Sequence, residues 1–66
     1  MTMEIERKAD GRWLAEVTEI SGALAYGATR EIAIAHAQAL ALRVIAERLE
    51  HGEEVPDLAG VFSIAA

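Results

Sequence analysis

The chain is written in two hydrophobic periods. From Met3 to Val17 the pattern is twofold: Met3, Ile5 and Arg7 alternate with Glu4, Glu6 and Lys8, and after Asp10-Gly11 the alternation resumes as Trp13, Ala15 and Val17 against Leu14 and Glu16. Two alternating runs around Asp-Gly predict a β-hairpin. A turn around Ile20-Ser21-Gly22 leads to a short third strand, and from Arg30 to Glu50 the period becomes helical. The predicted elements are strands over about 2–8, 12–18 and 23–27 and a helix over about 30–50. A short last strand or a docking tail falls over 61–64, beyond a polar connector, Glu53-Glu54-Val55-Pro56-Asp57. The order β-β-β-α-β is that of a single α+β domain spanning 1–66, with a small antiparallel-rich sheet and one long helix on one of its faces.

The loop length decides the hairpin register, because a one-residue slip exchanges the two faces. A two-residue loop at Asp10-Gly11 sets Ile5 opposite Glu16 and mixes the faces. A three-residue loop, Ala9-Asp10-Gly11 with a left-handed glycine, sets Ile5 opposite Ala15 and Met3 opposite Val17, giving one clean apolar face. That register places Glu4 opposite Glu16 and Glu6 opposite Leu14, so three carboxylates gather on the face away from the helix. Like charges across a strand pair are mildly unfavourable. Either the gathering has a use, or Lys8, Arg12 and solvent neutralise it.

Thr29 is the predicted N-cap of the helix, Glu31 suits the positive end of its dipole, and Gly52 suits its C-terminal turn, with Pro56 beyond. Ala33, Ala37, Leu40, Ala41 and Val44 form one stripe. Ile34, Leu42, Ile45 and Leu49 widen it to roughly half the circumference, where a helix on one sheet needs only ~100°. Either the second half of the stripe meets another copy of the chain, which makes Ile34, Leu42, Ile45 and Leu49 the self-association residues, or a C-terminal segment of the same chain covers it.

Composition narrows the function classes. The chain has no cysteine, which excludes disulfides and thiolate chemistry. No apolar run reaches the ~20 residues of a membrane span, and the charged N-terminus is unlike a secretory signal, so a cytoplasmic location is expected. A formal net charge of -5, with six Lys and Arg residues in no cluster, argues against direct nucleic-acid binding and favours a basic partner. His36 and His51 lack partners at metal-ligand spacing, Ser21 and Ser63 lack a nucleophile's elbow, and the glycines form no phosphate loop. No catalytic residue, metal or cofactor is assigned, and a binding module is expected rather than an enzyme.

Taken in order, Glu4-Ile5-Glu6-Arg7, Asp10-Gly11-Arg12-Trp13-Leu14-Ala15-Glu16-Val17, Ser21-Gly22, Tyr26-Gly27-Ala28-Thr29-Arg30-Glu31 and Ala39-Leu40-Ala41-Leu42-Arg43-Val44-Ile45-Ala46 resemble the small HicB-like antitoxin domain over about residues 3 to 52. The resemblance implies a partial ribonuclease-H-like fold and a type II toxin–antitoxin role: binding and neutralising a small basic HicA-type toxin that cleaves messenger RNA, by antitoxin chains associated as a homodimer or homotetramer. Many members of that family add a DNA-binding domain, and no such domain is expected within these 66 residues. The acidic residues that suit the toxin are Glu4, Glu6 and Glu16 on the sheet, or Glu53, Glu54 and Asp57 in the connector. Two other classes stay open: a ribonuclease-H-like hydrolase using metal-bound carboxylates, and a stand-alone oligomeric scaffold.

Overall fold

The computed structural model describes residues 1–55 and 62–64. Strands β1 (Thr2–Arg7), β2 (Trp13–Val17) and β3 (Leu24–Gly27) precede the helix α1 (Arg30–Glu50), and a two-residue strand, β4 (Ser63–Ile64), follows it. The sheet order is β3-β2-β1-β4: three antiparallel strands, with β4 added parallel to β1 at one edge. The fold is therefore α+β, as the change of period predicts. Of the predicted last strand, 63–64 is paired, and residue 61 lies outside the described residues. No helix among the described residues is long and apolar enough to cross a membrane.

The hairpin takes the three-residue loop. Lys8 donates its N–H to the Arg12 carbonyl at 2.7 Å, Gly11 donates to the Lys8 carbonyl at 3.0 Å, and Gly11 sits at φ 89°. A left-handed residue after a tight turn lets the strands keep their natural twist, and only glycine takes that conformation without a Cβ penalty. Register follows from the turn: Met3 pairs with Val17, Glu4 with Glu16, Ile5 with Ala15 and Glu6 with Leu14.

α1 lies across β2 and β3. Its N-cap is Thr29, whose side chain accepts the Ile32 N–H at 3.1 Å. At the other end Glu53 donates to the Arg48 carbonyl at 2.8 Å and Gly52 to that of Leu49 at 3.2 Å, the paired bonds of a Schellman motif. The helix buries Ala33, Ala37, Ala41 and Ile45, one residue per turn. Three of the four are alanines, so the helix backbone comes close to the sheet. The bulk of the core comes from elsewhere: Met3, Val17 and Ile20 are the largest fully buried side chains. Ile20 reaches the core from the loop after β2, where the Ile20 N–H bonds Val17 and the Ala23 N–H bonds Ile20, in two successive turns.

This packing corrects one expectation about the wide stripe. Ile45, expected on the self-association side, is 3% exposed and belongs to the chain's own core. Its angular position leaves it within reach of β2 and β3 once the alanine row has set the helix orientation. Ile34 is half-buried against the same core. Leu42 and Leu49, at 49% and 54%, remain exposed. Val55 and Phe62 of the C-terminal segment pack at the core margin and leave both of these leucines uncovered.

Candidate functional site on the outer sheet face

Strand alternation sends even-numbered residues of β1 and β2 away from the helix. The paired rows across this outer face run Glu4–Glu16–Leu24 and Glu6–Leu14–Tyr26. Carboxylates thus occupy the β1 side and apolar groups the β3 side, with β2 contributing one of each. Between them lies an open hollow of about 290 Å³, lined by Glu4, Glu6, Leu14, Glu16 and the strand at Ile5. The three carboxylates expected to share a face do so.

Their neutralisation is partial. Lys8 reaches Glu6 at 3.2 Å, but Arg12 is turned to Asp10, at 2.7 Å, and over the Tyr26 ring, 4.5 Å from its centre. Glu4 and Glu16 form no ion pair among the described residues. The Asp10 carboxyl is held below the usual aspartate range, first by the Arg12 backbone N–H and then by its guanidinium. Arg12 and Lys8, each paired with a neighbouring carboxylate, mark the hairpin end of the face. At the opposite end Glu19 accepts the Thr2 N–H at 2.8 and 3.1 Å and the Thr18 hydroxyl at 3.0 Å. The Thr2 bond leads in holding the Glu19 carboxyl below its ordinary value of 4.5.

Leu24 and Tyr26, 42% and 44% exposed, complete the face. Alternation through a four-residue strand is too short a signal to orient them unaided; their pairing with Glu16 and Leu14 does so. Trp13 falls on the helix side, half-buried at the core margin, with the Arg7 guanidinium 6.0 Å from its ring centre. The connector acids do not join the site: Glu53 and Glu54 are exposed beyond the end of α1, and Asp57 lies outside the described residues.

Glu4, Glu6 and Glu16 share a face without converging, and no group of three His, Asp or Glu side chains among the described residues is placed to hold a metal ion. Exposed carboxylates beside an exposed leucine and tyrosine suit a cationic surface that carries apolar groups of its own. Compared with protein-family models, with curated proteins and with solved structures, the chain shows no match.

Proposed function

We propose that the protein is an antitoxin-type binding module with a partial ribonuclease-H-like, HicB-like fold, and that its outer sheet face covers the basic surface of a small HicA-type toxin that cleaves messenger RNA. The observation that carries this reading is the pairing of Glu4 with Glu16, two carboxylates that form no ion pair among the described residues, beside Leu24 and Tyr26. A basic RNA-cleaving surface must hold phosphates with Lys and Arg, and the carboxylates offer those cations an alternative partner. Leu14, Leu24 and Tyr26 supply apolar area, and the charges supply orientation and association rate. The resemblance of residues 3 to 52 to HicB-like domains supports the same reading. So does the formal charge of -5. A metal-dependent hydrolase is the weaker reading, since it needs carboxylates that converge.

The test is a binding titration with a small basic HicA-type toxin, taken from the adjacent reading frame where that frame encodes one. A complex that halts RNA cleavage, weakens with added salt and is lost in the triple variant Glu4→Lys, Glu6→Lys, Glu16→Lys is the expected result. Undiminished affinity in the folded triple variant overturns the role of this face. The absence of any complex with the wild-type chain overturns the antitoxin role.

A further inference from the structure

β3 is an open edge of the sheet. The β2–β3 ladder fixes which of its backbone groups are used: Val17 donates its N–H to the Ala23 carbonyl at 2.9 Å, and bonded pairs recur at every second residue of an antiparallel pair. Ala15–Ala25 and Trp13–Gly27 are therefore the bonded pairs, and Glu16–Leu24 and Leu14–Tyr26 the unbonded ones. The β1–β2 ladder agrees, since Lys8 bonds Arg12 and Thr18 bonds Thr2, which assigns the even-numbered residues of β2 to β1. Leu24 and Tyr26 thus turn their N–H and C=O groups away from the sheet, and no described residue bonds them. The opposite edge is taken by β4. Open edges are usually blunted by a charge, a proline or a bulge, and Leu24-Ala25-Tyr26-Gly27 has none of these.

We propose that this edge takes an extended segment of the basic partner as an added strand, hydrogen-bonded to the backbone of Leu24 and Tyr26. The inference rests on the toxin-binding reading above and adds how the partner is held. Backbone chemistry names the occupant. Two N–H and two C=O groups in one line, two residues apart on an extended chain, are matched by another strand and not by a helix, whose own backbone groups are already paired.

The neighbouring side chains set the pattern of that segment. Residues of the added strand that share the outer face stand beside Leu24 and Tyr26, at the usual strand spacing of about 4.8 Å. Glu16 lies one strand further in, about 10 Å from the residue opposite Leu24 and within the combined reach of a Lys or Arg side chain and its own carboxylate. Exposed Leu24 gives the apolar stem of that cation a surface to lie on. Opposite Tyr26 a cation is disfavoured, because the Arg12 guanidinium already covers that ring at 4.5 Å. The segment this edge fits therefore carries Lys or Arg opposite Leu24 and, two residues away, an apolar side chain opposite Tyr26. Charge complementarity falls on Glu16, which forms no ion pair among the described residues.

Amide hydrogen exchange, followed residue by residue with and without a small basic HicA-type toxin, tests the proposal. The Leu24 and Tyr26 amides are expected to exchange freely in the chain alone and at least tenfold more slowly in the complex; the Ala25 amide, bonded to Ala15, is slow in both. Tyr26→Pro removes an outward N–H and no β2–β3 bond, whereas Tyr26→Thr removes the ring and keeps the N–H. Tyr26→Pro is expected to weaken the complex at least tenfold more than Tyr26→Thr, with the helical circular dichroism kept in both. A complex in which the two amides exchange as fast as in the free chain overturns the edge as docking site and leaves the toxin reading standing, whether or not Tyr26→Pro folds. Equal affinities of the folded Tyr26→Pro and Tyr26→Thr chains overturn it as well. Slowing of both amides in the chain alone as its concentration rises assigns the edge to a second copy and overturns this occupant. Absence of any complex with the wild-type chain overturns the toxin reading, and this inference with it.

Discussion

Gly27 and Ala33 are as close as a strand and a helix can come: a Cβ on Gly27 would stand 2.6 Å from the Ala33 backbone nitrogen and 3.0 Å from its Cα. Gly27 ends β3 on the helix-facing side, opposite Trp13, and only Ala28 and Thr29 separate it from α1. The chain reverses direction there with no room for a side chain. Gly27→Ala is therefore expected to destabilise the fold by about 1–3 kcal/mol, the usual cost of overpacking. The clash is with backbone, so no rotamer change relieves it. Urea unfolding checks this, and an unchanged midpoint would show that the helix start can slide.

Glu4 and Glu16 face each other across β1 and β2, and neither forms an ion pair among the described residues. Directly opposed like charges cost a few tenths of a kcal/mol in an exposed pair. Glu16→Lys converts the repulsion into attraction. It is expected to stabilise the isolated chain by up to about 0.5 kcal/mol, less at high salt, while weakening the proposed toxin complex. Opposite signs in melting temperature and in affinity are the diagnostic outcome. Loss of both would mean that Glu16 supports the sheet itself.

The hairpin register and the shared face of Glu4, Glu6 and Glu16 were legible in the sequence because alternation and the Asp10-Gly11 turn constrain each other: only one loop length keeps Ile5 and Met3 on the side of Ala15 and Val17. Helix ends were legible for the same local reason, since Thr29 and Gly52 act within one turn of themselves. Ile20 was not legible as core. Its burial depends on how two successive turns fold it back under the helix, and a sequence pattern carries no record of that closure. Ile45 fails for a related reason: a wide apolar stripe does not say where its centre lies, and the small alanines, rather than the larger residues, mark the line of closest approach. Leu24 and Tyr26 needed the β2–β3 pairing to join the acidic face.

Glu19 ties the N-terminal strand to the end of β2 through the Thr2 N–H and the Thr18 hydroxyl, and this holds its carboxyl below the ordinary value of 4.5. A depressed folded-state value means that the unfolded chain takes up the proton first. The linked stability is present above the ordinary value and is lost as pH falls through the folded one. Stability is thus expected to decline on acidification through the range below 4.5, and Glu19→Gln is expected to flatten that decline and lower stability near neutral pH. Urea midpoints measured across the acid range check it. A profile with the same slope in the variant would assign the acid sensitivity to other carboxylates, Asp10 first, since its value is also lowered.

Ile45 and Leu42 sit three residues apart on one helix and are expected to answer truncation in different ways. Ile45 is 3% exposed, and its loss leaves a hole against the sheet, so Ile45→Ala is expected to cost about 2–5 kcal/mol at any protein concentration. Leu42 is 49% exposed and lies outside the core cluster, so Leu42→Ala is expected to cost less than about 0.5 kcal/mol in dilute protein. If Leu42 and Leu49 meet a second copy of the chain, as the width of the apolar stripe predicts, the wild-type unfolding midpoint rises with protein concentration, as it must when folding is linked to association. Leu42→Ala then removes that rise, whereas Ile45→Ala keeps it and shifts the whole curve down. Unfolding measured at several concentrations separates the two. A concentration-dependent Leu42→Ala chain, or an Ile45→Ala chain that loses only its concentration dependence, would exchange the roles given to the two side chains.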